Sequence, residues 1–428
     1  MLGPREVNQN TQRDLASLAG EETIFGGSAA EKMERLQAEL EPLSRRYDVV
    51  VANPPYMGSS NMNGWLSGWT KKRYKEVCKD LCTCFIKRGF SLSDDRGYEA
   101  LITSDTCMYI SSFEKMRKEV IERTSIVCFI DTRGTNAHPD VFDANAGWVL
   151  WNHPGADIKG SYFKLNHPIS EKGQRLLEAL ANPDCGWFYR ADSSGFKAIP
   201  GSPIAYWASN AVIRAFMTAD RLDQEGAVKK GLTTSKDDLF VRKWHEVSFH
   251  NSTCASDGLR VGEGNKRNWS PLNKGGEYRK WYGNNDCVIN WKNNGESVKR
   301  YPSAVIRNET YYFSECITWN DITSGRPSFR YKTQGHIFND AGPSIFSDRE
   351  MLLYILAFCN SSVLVEIAKI VAPTIHFTVG QMAEIPLLKS TETRETRVSI
   401  LSKENVFLAR RDWDSFETSW DFAHHPLV

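Results

Sequence analysis

The sequence predicts an α/β layered domain with a mostly parallel sheet, followed by a second, mixed and β-rich domain. Three observations predict this. Up to about residue 152, short apolar runs alternate with amphipathic stretches of roughly 10 to 20 residues, the pattern of strands joined by helices. Beyond that point the chain turns to irregular segments rich in Trp, Tyr, Asn, Gly and Lys, with turn signals such as Asn293-Asn294-Gly295. Finally, 428 residues at 41% apolar composition suffice to fill two to three ordinary cores.

The elements follow in order. Residues 1–28 are polar, end in Phe25-Gly26-Gly27-Ser28 and keep no apolar period, so they read as a lead-in. From Ala29 to Arg46, Met33, Leu36 and Leu40 recur at helical spacing. Asp48 to Ala52 is almost wholly apolar, as expected of a parallel strand buried on both faces, and it stops at Asn53-Pro54-Pro55. One long helix is expected from about Thr70 to Ser91, then a turn at Arg96-Gly97 and a strand from Tyr98 to Thr103. A helix near Phe113 to Arg123 leads to a third strand, Ser125 to Asp131. Gly147 to Trp151 is a fourth that returns antiparallel. The first domain is thus expected at residues 29–152, a connecting region at 153–225, the second domain at 226–390 and a polar, helical tail at 391–428.

Global charge excludes nothing, because 53 basic against 52 acidic residues leave a net of +1. Locally, Gly226 to Ile345 holds 18 Lys plus Arg against 12 Asp plus Glu, a net of +6 that leaves −5 for the rest. That stretch would dock an anionic partner, although the same excess suits an ordinary solvated surface. No apolar run reaches the 18 or more residues of a membrane span, and the amino terminus lacks a signal-peptide core. Ten cysteines without a Cys-x-x-Cys pair read as thiols, so no membrane contact and a cytoplasmic location are expected. Cys78 and Cys82 stand four apart, which would suit a metal on a helix face, but they interleave with Val77, Leu81, Phe85 and Ile86 as core residues do. No metal site is expected.

The chemistry concentrates in Asn53-Pro54-Pro55-Tyr56. It follows a strand directly, and open α/β sheets carry their functional residues at the carboxyl ends of strands. A planar exocyclic amine is a poor nucleophile because its lone pair is delocalised, and it improves when two acceptors draw on its hydrogens. The Asn53 side-chain oxygen and the Pro54 carbonyl form such a pair. Pro54 and Pro55 stiffen the turn, and proline after Asn53 keeps it out of helix. The Tyr56 ring offers a face on which an extruded base can stack.

This run resembles the Asn-Pro-Pro-Tyr motif of S-adenosylmethionine-dependent amino-methyltransferases. The longer run Tyr47-Asp48-Val49-Val50-Val51-Ala52-Asn53-Pro54-Pro55-Tyr56-Met57-Gly58 resembles the methylase core of PglX proteins, the adenine-specific DNA methyltransferases of BREX phage-exclusion systems. These are related to Type IIG restriction-modification enzymes. Later segments are similar to this family's target-recognition part: residues 230–234, 240–247, 273–283, 318–325 and 373–380. The resemblance implies an incomplete Rossmann-like methyltransferase sheet, then a target-recognition domain. It also implies transfer of a methyl group from S-adenosylmethionine to the N6 amine of adenine in double-stranded DNA. Asn53, Pro54, Pro55 and Tyr56 would be catalytic, with Asn53 also on the donor side. The family's glycine-rich donor loop should lie upstream of Asn53, and neither Phe25-Gly26-Gly27-Ser28 nor Val261-Gly262-Glu263-Gly264-Asn265 has its pattern. The chain therefore resembles the C-terminal portion of a longer methyltransferase. The missing N-terminal portion or other phage-defence proteins would be further partners.

Within the second domain, Lys236, Arg242, Lys243, Lys274, Arg279 and Lys280, with Lys229 and Lys230, are the expected phosphate contacts, and basic residues alternate with aromatic ones from Gly275 to Trp281. His245 and Glu246 are expected as strand neighbours pointing to opposite faces, so they would not act on one substrate atom. Two other functions are compatible with the sequence: a non-catalytic DNA-binding specificity module, and a protein glutamine N-methyltransferase, whose amide chemistry also suits Asn-Pro-Pro-Tyr.

Overall fold

The computed structural model describes residues 35, 38, 40–132, 145–154, 158–254, 267–323, 325–372, 376–425 and 427, and the chain divides between Ser209 and Asn210 into two compact units. In the first unit β1 (Tyr47–Ala52), β2 (Ser93–Ser104), β3 (Ser125–Asp131), β4 (Asn145–Trp151), β5 (Gly160–Lys164) and β6 (Phe188–Ala191) form one sheet of order β1-β2-β4-β3-β5-β6. β1 is parallel to β2 and β3 to β5, whereas β4 runs antiparallel between β2 and β3, and β6 antiparallel to β5. The sheet is therefore mixed rather than mostly parallel. It also continues to Ala191, through the stretch the sequence suggests as a connecting region: β5 and β6 are too short to show a period of their own.

Helices α1 (Gly64–Arg73), α2 (Leu81–Leu92), α3 (Glu114–Arg123) and α4 (Ile169–Ala181) connect these strands. Where one helix is expected across Thr70 to Ser91, two occur. α1 ends at Tyr74, whose backbone leaves the helical region, and Asp80 starts α2 by accepting the Cys82 backbone N–H at 3.0 Å. Fully buried Val77 pins the turn between them. Of the expected helix at 29–46, residues 40–44 are described and helical, while Phe25-Gly26-Gly27-Ser28 and Val261 to Asn265 lie outside the described residues.

The expectation for β1 fails in one respect. Val49 is 57% and Val51 75% exposed, because β1 stands at the edge of the sheet and, among the described residues, pairs with β2 alone. The core lies further in, where Leu101, Phe129, Trp148 and Tyr162 are buried together, and the Trp148 indole N–H donates to Thr103 Oγ1 at 2.8 Å. Arg117 is fully buried on α3. Its guanidinium donates to the carbonyls of Cys107 (3.0 Å), Ile110 (2.8 Å), Gly201 (2.6 Å) and Ser202 (3.1 Å), tying down the segment that follows β2. Burial lowers its pKa to about 10.

The second unit holds β7 (Ala227–Lys229), β8 (Val241–Lys243), β9 (Trp269–Asn273), β10 (Cys287–Asn290), β11 (Cys316–Thr318), β12 (Arg330–Lys332), β13 (Ile337–Phe338) and β14 (Ser344–Phe346) in two four-stranded sheets, β13-β9-β10-β8 and β12-β11-β14-β7. Asn293, Asn294 and Gly295 take left-handed φ values of 51°, 58° and 73° after β10, as the turn signal requires. Three longer helices, α5 (Arg349–Asn360), α6 (Ser362–Val371) and α7 (Glu392–Trp413), follow the strands. Among the described residues no single helix is long and apolar enough to cross a membrane. α5 and α6, bent by 73°, bury Leu352, Ile355, Leu364 and Ile367 in the core of this unit.

Candidate functional site

Asn53-Pro54-Pro55-Tyr56 leaves the carboxyl end of β1 as a turn. Asn53, Pro55 and Tyr56 are exposed and Pro54 is buried. The Tyr56 hydroxyl donates to Asn53 Oδ1 at 3.2 Å, using one of its lone pairs and fixing which way the amide oxygen points. Burial raises the Tyr56 phenol above its ordinary pKa, with Cys82 and Cys107 adding to the effect, so the hydroxyl remains a donor. The chain beyond is clamped: the Leu81 N–H donates to the Met57 carbonyl (3.0 Å) and the Ser59 N–H to the Lys79 carbonyl (2.8 Å), and Asn63 caps α1 by accepting from the Leu66 N–H at 2.8 Å. The turn thus sits between a strand end and a capped helix, a rigid mount for two acceptors.

Parallel pairing of β1 with β2, in the register Ala52 opposite Leu101, places the end of β2 beside this turn. There Ser104 Oγ and Thr106 Oγ1 lie 2.9 Å apart, and buried Asp105 accepts from the Tyr109 hydroxyl at 3.3 Å. Sequence reasoning missed these groups. The Ser104-Asp105-Thr106 run at the end of a predicted strand is the signal that would have found them, since Ser and Asp there start a turn. The Cys82 thiol lies against the Ser104 backbone and is pushed up by burial. Cys82 and Cys84 are buried on α2, and Cys78 lies in the turn before it.

In the second unit most of the expected phosphate contacts are engaged within the protein. Lys236 pairs with Asp238 at 3.4 Å, Lys274 with Asp237 at 2.7 Å, and Lys243 with Asp286. The Arg242 guanidinium donates to the Asp238 carbonyl at 2.7 Å. Arg279 pairs with Asp412, donates to the Tyr282 carbonyl at 3.2 Å and lies 5.0 Å over the Trp413 ring, while Lys280 Nζ donates to the Asn360 carbonyl at 2.7 Å. His245 and Glu246 stand in a 3-10 turn after β8 rather than on a strand, and Glu246 accepts the Lys243 backbone N–H at 2.7 Å.

The structure brings together segments that are far apart in sequence. Lys230, Lys274, Gly275, Gly276, Asn320 and Asp321 line one polar cleft of about 280 Å³. At its side His376 approaches Asp321 at 3.8 Å, and the Asn320 amide accepts from buried Arg330 at 2.7 Å. Lys332, fully buried on β12, donates to the Gly283 (2.9 Å) and Asn284 (3.2 Å) carbonyls and to the Asn285 side chain.

A donor cradle is not complete among the described residues. Among the described residues, the turns that follow β1, β2 and β5 carry no glycine pair whose backbone N–H groups could hold a carboxylate.

Residues 7–138 match the Eco57I restriction-modification methylase family. The adenine-specific methyltransferase PglX of Lacticaseibacillus casei (strain Zhang) is 35% identical over 398 residues, which are 90% of this chain and 33% of that protein. The adenine-specific methyltransferase BrxX of Escherichia coli O9:H4 (strain HS) is 33% identical over 393 residues, 90% of this chain and 31% of that protein. Among solved structures, the Type IIL restriction-modification enzyme MmeI in complex with DNA aligns with a TM-score of 0.52 at 9% identity, covering 90% of this chain and 56% of that one. A nuclease-deletion mutant of the Type ISP enzyme LlaGI aligns with a TM-score of 0.50 at 11% identity, covering 92% and 37%. At such identities these two structures speak for the fold alone. The chain is homologous, over nine-tenths of its own length, to about one third of the PglX and BrxX adenine-specific methyltransferases.

Proposed function

We propose that the chain takes part in methylating the N6 amine of adenine in double-stranded DNA, in the cytoplasm and in a phage-defence context, with its first unit supplying the acceptor side of the reaction and its second unit the DNA-recognition surface. The observation that supports this most is the rigid Asn53-Pro54-Pro55-Tyr56 turn at the carboxyl end of β1, in a chain related to adenine-specific methyltransferases. A flipped adenine stacked on Tyr56 would present its amine to Asn53 Oδ1 and the Pro54 carbonyl. Hydrogen bonds to both acceptors polarise the N–H bonds and localise the lone pair on nitrogen for attack; an amide oxygen is too weak a base to keep a proton, so the one that the amine gives up passes to water. S-adenosylmethionine as donor would supply the electrophilic methyl. The described residues meet it from the amine side and form no full cradle for its methionine part.

The test is N6-methyladenine measured by mass spectrometry after incubating duplex DNA and S-adenosylmethionine with the chain together with the remaining portion of a PglX-type enzyme. Asn53→Ala and Tyr56→Ala should each abolish the product and leave duplex binding near normal; unchanged methylation in both refutes the reading. The incomplete donor cradle favours a second reading, a DNA-binding specificity module without catalysis. Calorimetry separates the two, since S-adenosylmethionine binding by the chain supports an enzyme and its absence with retained duplex binding supports the module.

A further inference from the structure

A nucleotide turned out of the duplex swings about its own backbone, so the phosphates on either side of it stay beside the pocket that takes the base. Whatever surface offers the Asn53 turn to an adenine must therefore meet phosphates at its rim. Of the residues expected to make phosphate contacts in the second unit, Lys236, Lys243, Lys274 and Arg279 are paired with carboxylates. A cation so paired must give up its partner to take a phosphate, whereas a solvated one gives up only water and counterions.

The first unit holds solvated cations beside the acceptor turn. Lys71 and Lys72 stand in the last turn of α1, and Lys75 and Lys79 in the segment that returns from α1 to α2; all four are exposed. Among the described residues none of the four ammonium groups has a partner. The two acids of this segment are used elsewhere, since Glu76 faces Lys87 at 3.6 Å and Asp80 caps α2. The segment is fastened to the acceptor turn two and three residues beyond Tyr56: Gly58 forms an antiparallel bridge with Asp80, and the Lys79 carbonyl accepts the Ser59 N–H at 2.8 Å. The negative end of the α1 dipole accounts for Lys71 and Lys72. It does not account for Lys79, which precedes the capping Asp80 at the positive end of the α2 dipole, where a cation is disfavoured. A charge kept at such a place against the local field has a use outside the helix.

We infer that Lys71, Lys72, Lys75 and Lys79 form a phosphate-binding strip of the first unit, which grips the backbone of duplex DNA next to the base presented to Asn53 and Tyr56. The inference rests on the proposed action on DNA and adds a backbone grip made by the first unit. The occupant follows from charge and length. Ten helical residues make α1 about 15 Å long, and over roughly that distance one DNA strand presents about four phosphates. Ammonium groups on flexible stems hold a backbone in place without reading bases, so the grip serves any sequence.

Anisotropy titrations of the full chain with two labelled duplexes of unrelated sequence, each at several salt concentrations, test the strip. Changing all four lysines to alanine should weaken binding equally for both duplexes and flatten the log-log salt slope by at least about 1.8, the equivalent of two phosphates. Arginine at all four positions should restore the slope. Lys75→Ala with Lys79→Ala should flatten it by at least about 0.9, whereas Lys369→Ala with Lys403→Ala, which removes as much charge from exposed sites on α6 and α7, should leave it unchanged. Lys79→Ala alone should melt no lower than the parent, because the side chain it removes has no partner and opposes the α2 dipole. Smaller changes in slope than these, a control pair that flattens it equally, no recovery with arginine, or a lowered melting temperature in Lys79→Ala overturns the inference. A parent chain that binds neither duplex fails the DNA reading and this inference with it. Parent binding with slopes indifferent to the four lysines overturns the strip alone.

Discussion

Arg279 and Lys280 put the sequence and the structure in direct competition. As phosphate contacts they would carry DNA affinity; as placed, they hold the second unit together. Replacing both by alanine removes the Arg279–Asp412 pair, worth about 0.2–1 kcal/mol at this exposure. It also removes the cation–π contact with Trp413, about 0.5–1 kcal/mol, and the bond to the Tyr282 carbonyl, about 0.5–1.5 kcal/mol. The loss of the Lys280 bond to the Asn360 carbonyl, at the carboxyl end of α5 where a cation meets the helix dipole, costs about 1 kcal/mol more. The sum is about 2–4.5 kcal/mol. With a urea dependence of about 2–3 kcal/mol per molar for a unit of this size, the unfolding midpoint followed by tryptophan fluorescence should fall by about 1 M. Anisotropy titrations of a labelled duplex at several salt concentrations supply the other half of the test. Two lost phosphate contacts would flatten the log-log salt slope by about 1.8, whereas residues engaged inside the protein leave it unchanged in the folded variant. An unchanged midpoint together with a slope flattened by that amount would refute the structural reading and restore both residues to the DNA surface.

Tyr56→Phe keeps the stacking face and loses only the hydroxyl on Asn53 Oδ1, so methylation should fall by no more than about tenfold, against near-complete loss in Tyr56→Ala; equal losses would show that the ring is not the working part. Burial lowers the Lys332 pKa to about 7, below its unfolded value, so between about pH 7 and 10.5 the unfolded chain holds the extra proton and stability rises with pH. Relative to Lys332→Met, the parent should gain up to about 1.4 kcal/mol per pH unit across that window in urea unfolding, and parallel pH profiles for the two proteins would exclude the shift. Gly231→Ala places a Cβ 2.0 Å from the Phe338 carbonyl oxygen, which is backbone and cannot step aside, so the second unit should lose about 3 kcal/mol; a melting curve that overlays the parent's would show that the close approach is relaxed in solution.

What could be read from the sequence was local. The strand at residues 47–52, the Asn53-Pro54-Pro55-Tyr56 turn after it, the helix at 114–123 and the antiparallel return of 145–151 each follow from a period, a breaker or a cap within about a dozen residues. The break between α1 and α2 was within reach too, for Asp80 is a capping residue set in an apolar period. What only the tertiary structure decided depends on partners far along the chain. The composition of β1 is that of a buried strand, but whether a strand is central or at the edge is a property of its neighbours, and here Val51 stands exposed. Arg279 reads as a free cation until Asp412, 133 residues away, closes on it. Lys332 and Arg330 look like surface charges on a short alternating strand, yet both are fully buried because carbonyls and side chains from distant loops converge on them. Charge and period are properties of a residue and its near neighbours, whereas desolvation and pairing belong to the packed molecule. For that reason the Asn53-Pro54-Pro55-Tyr56 turn was legible in advance as a local structure, and the surfaces around it were not.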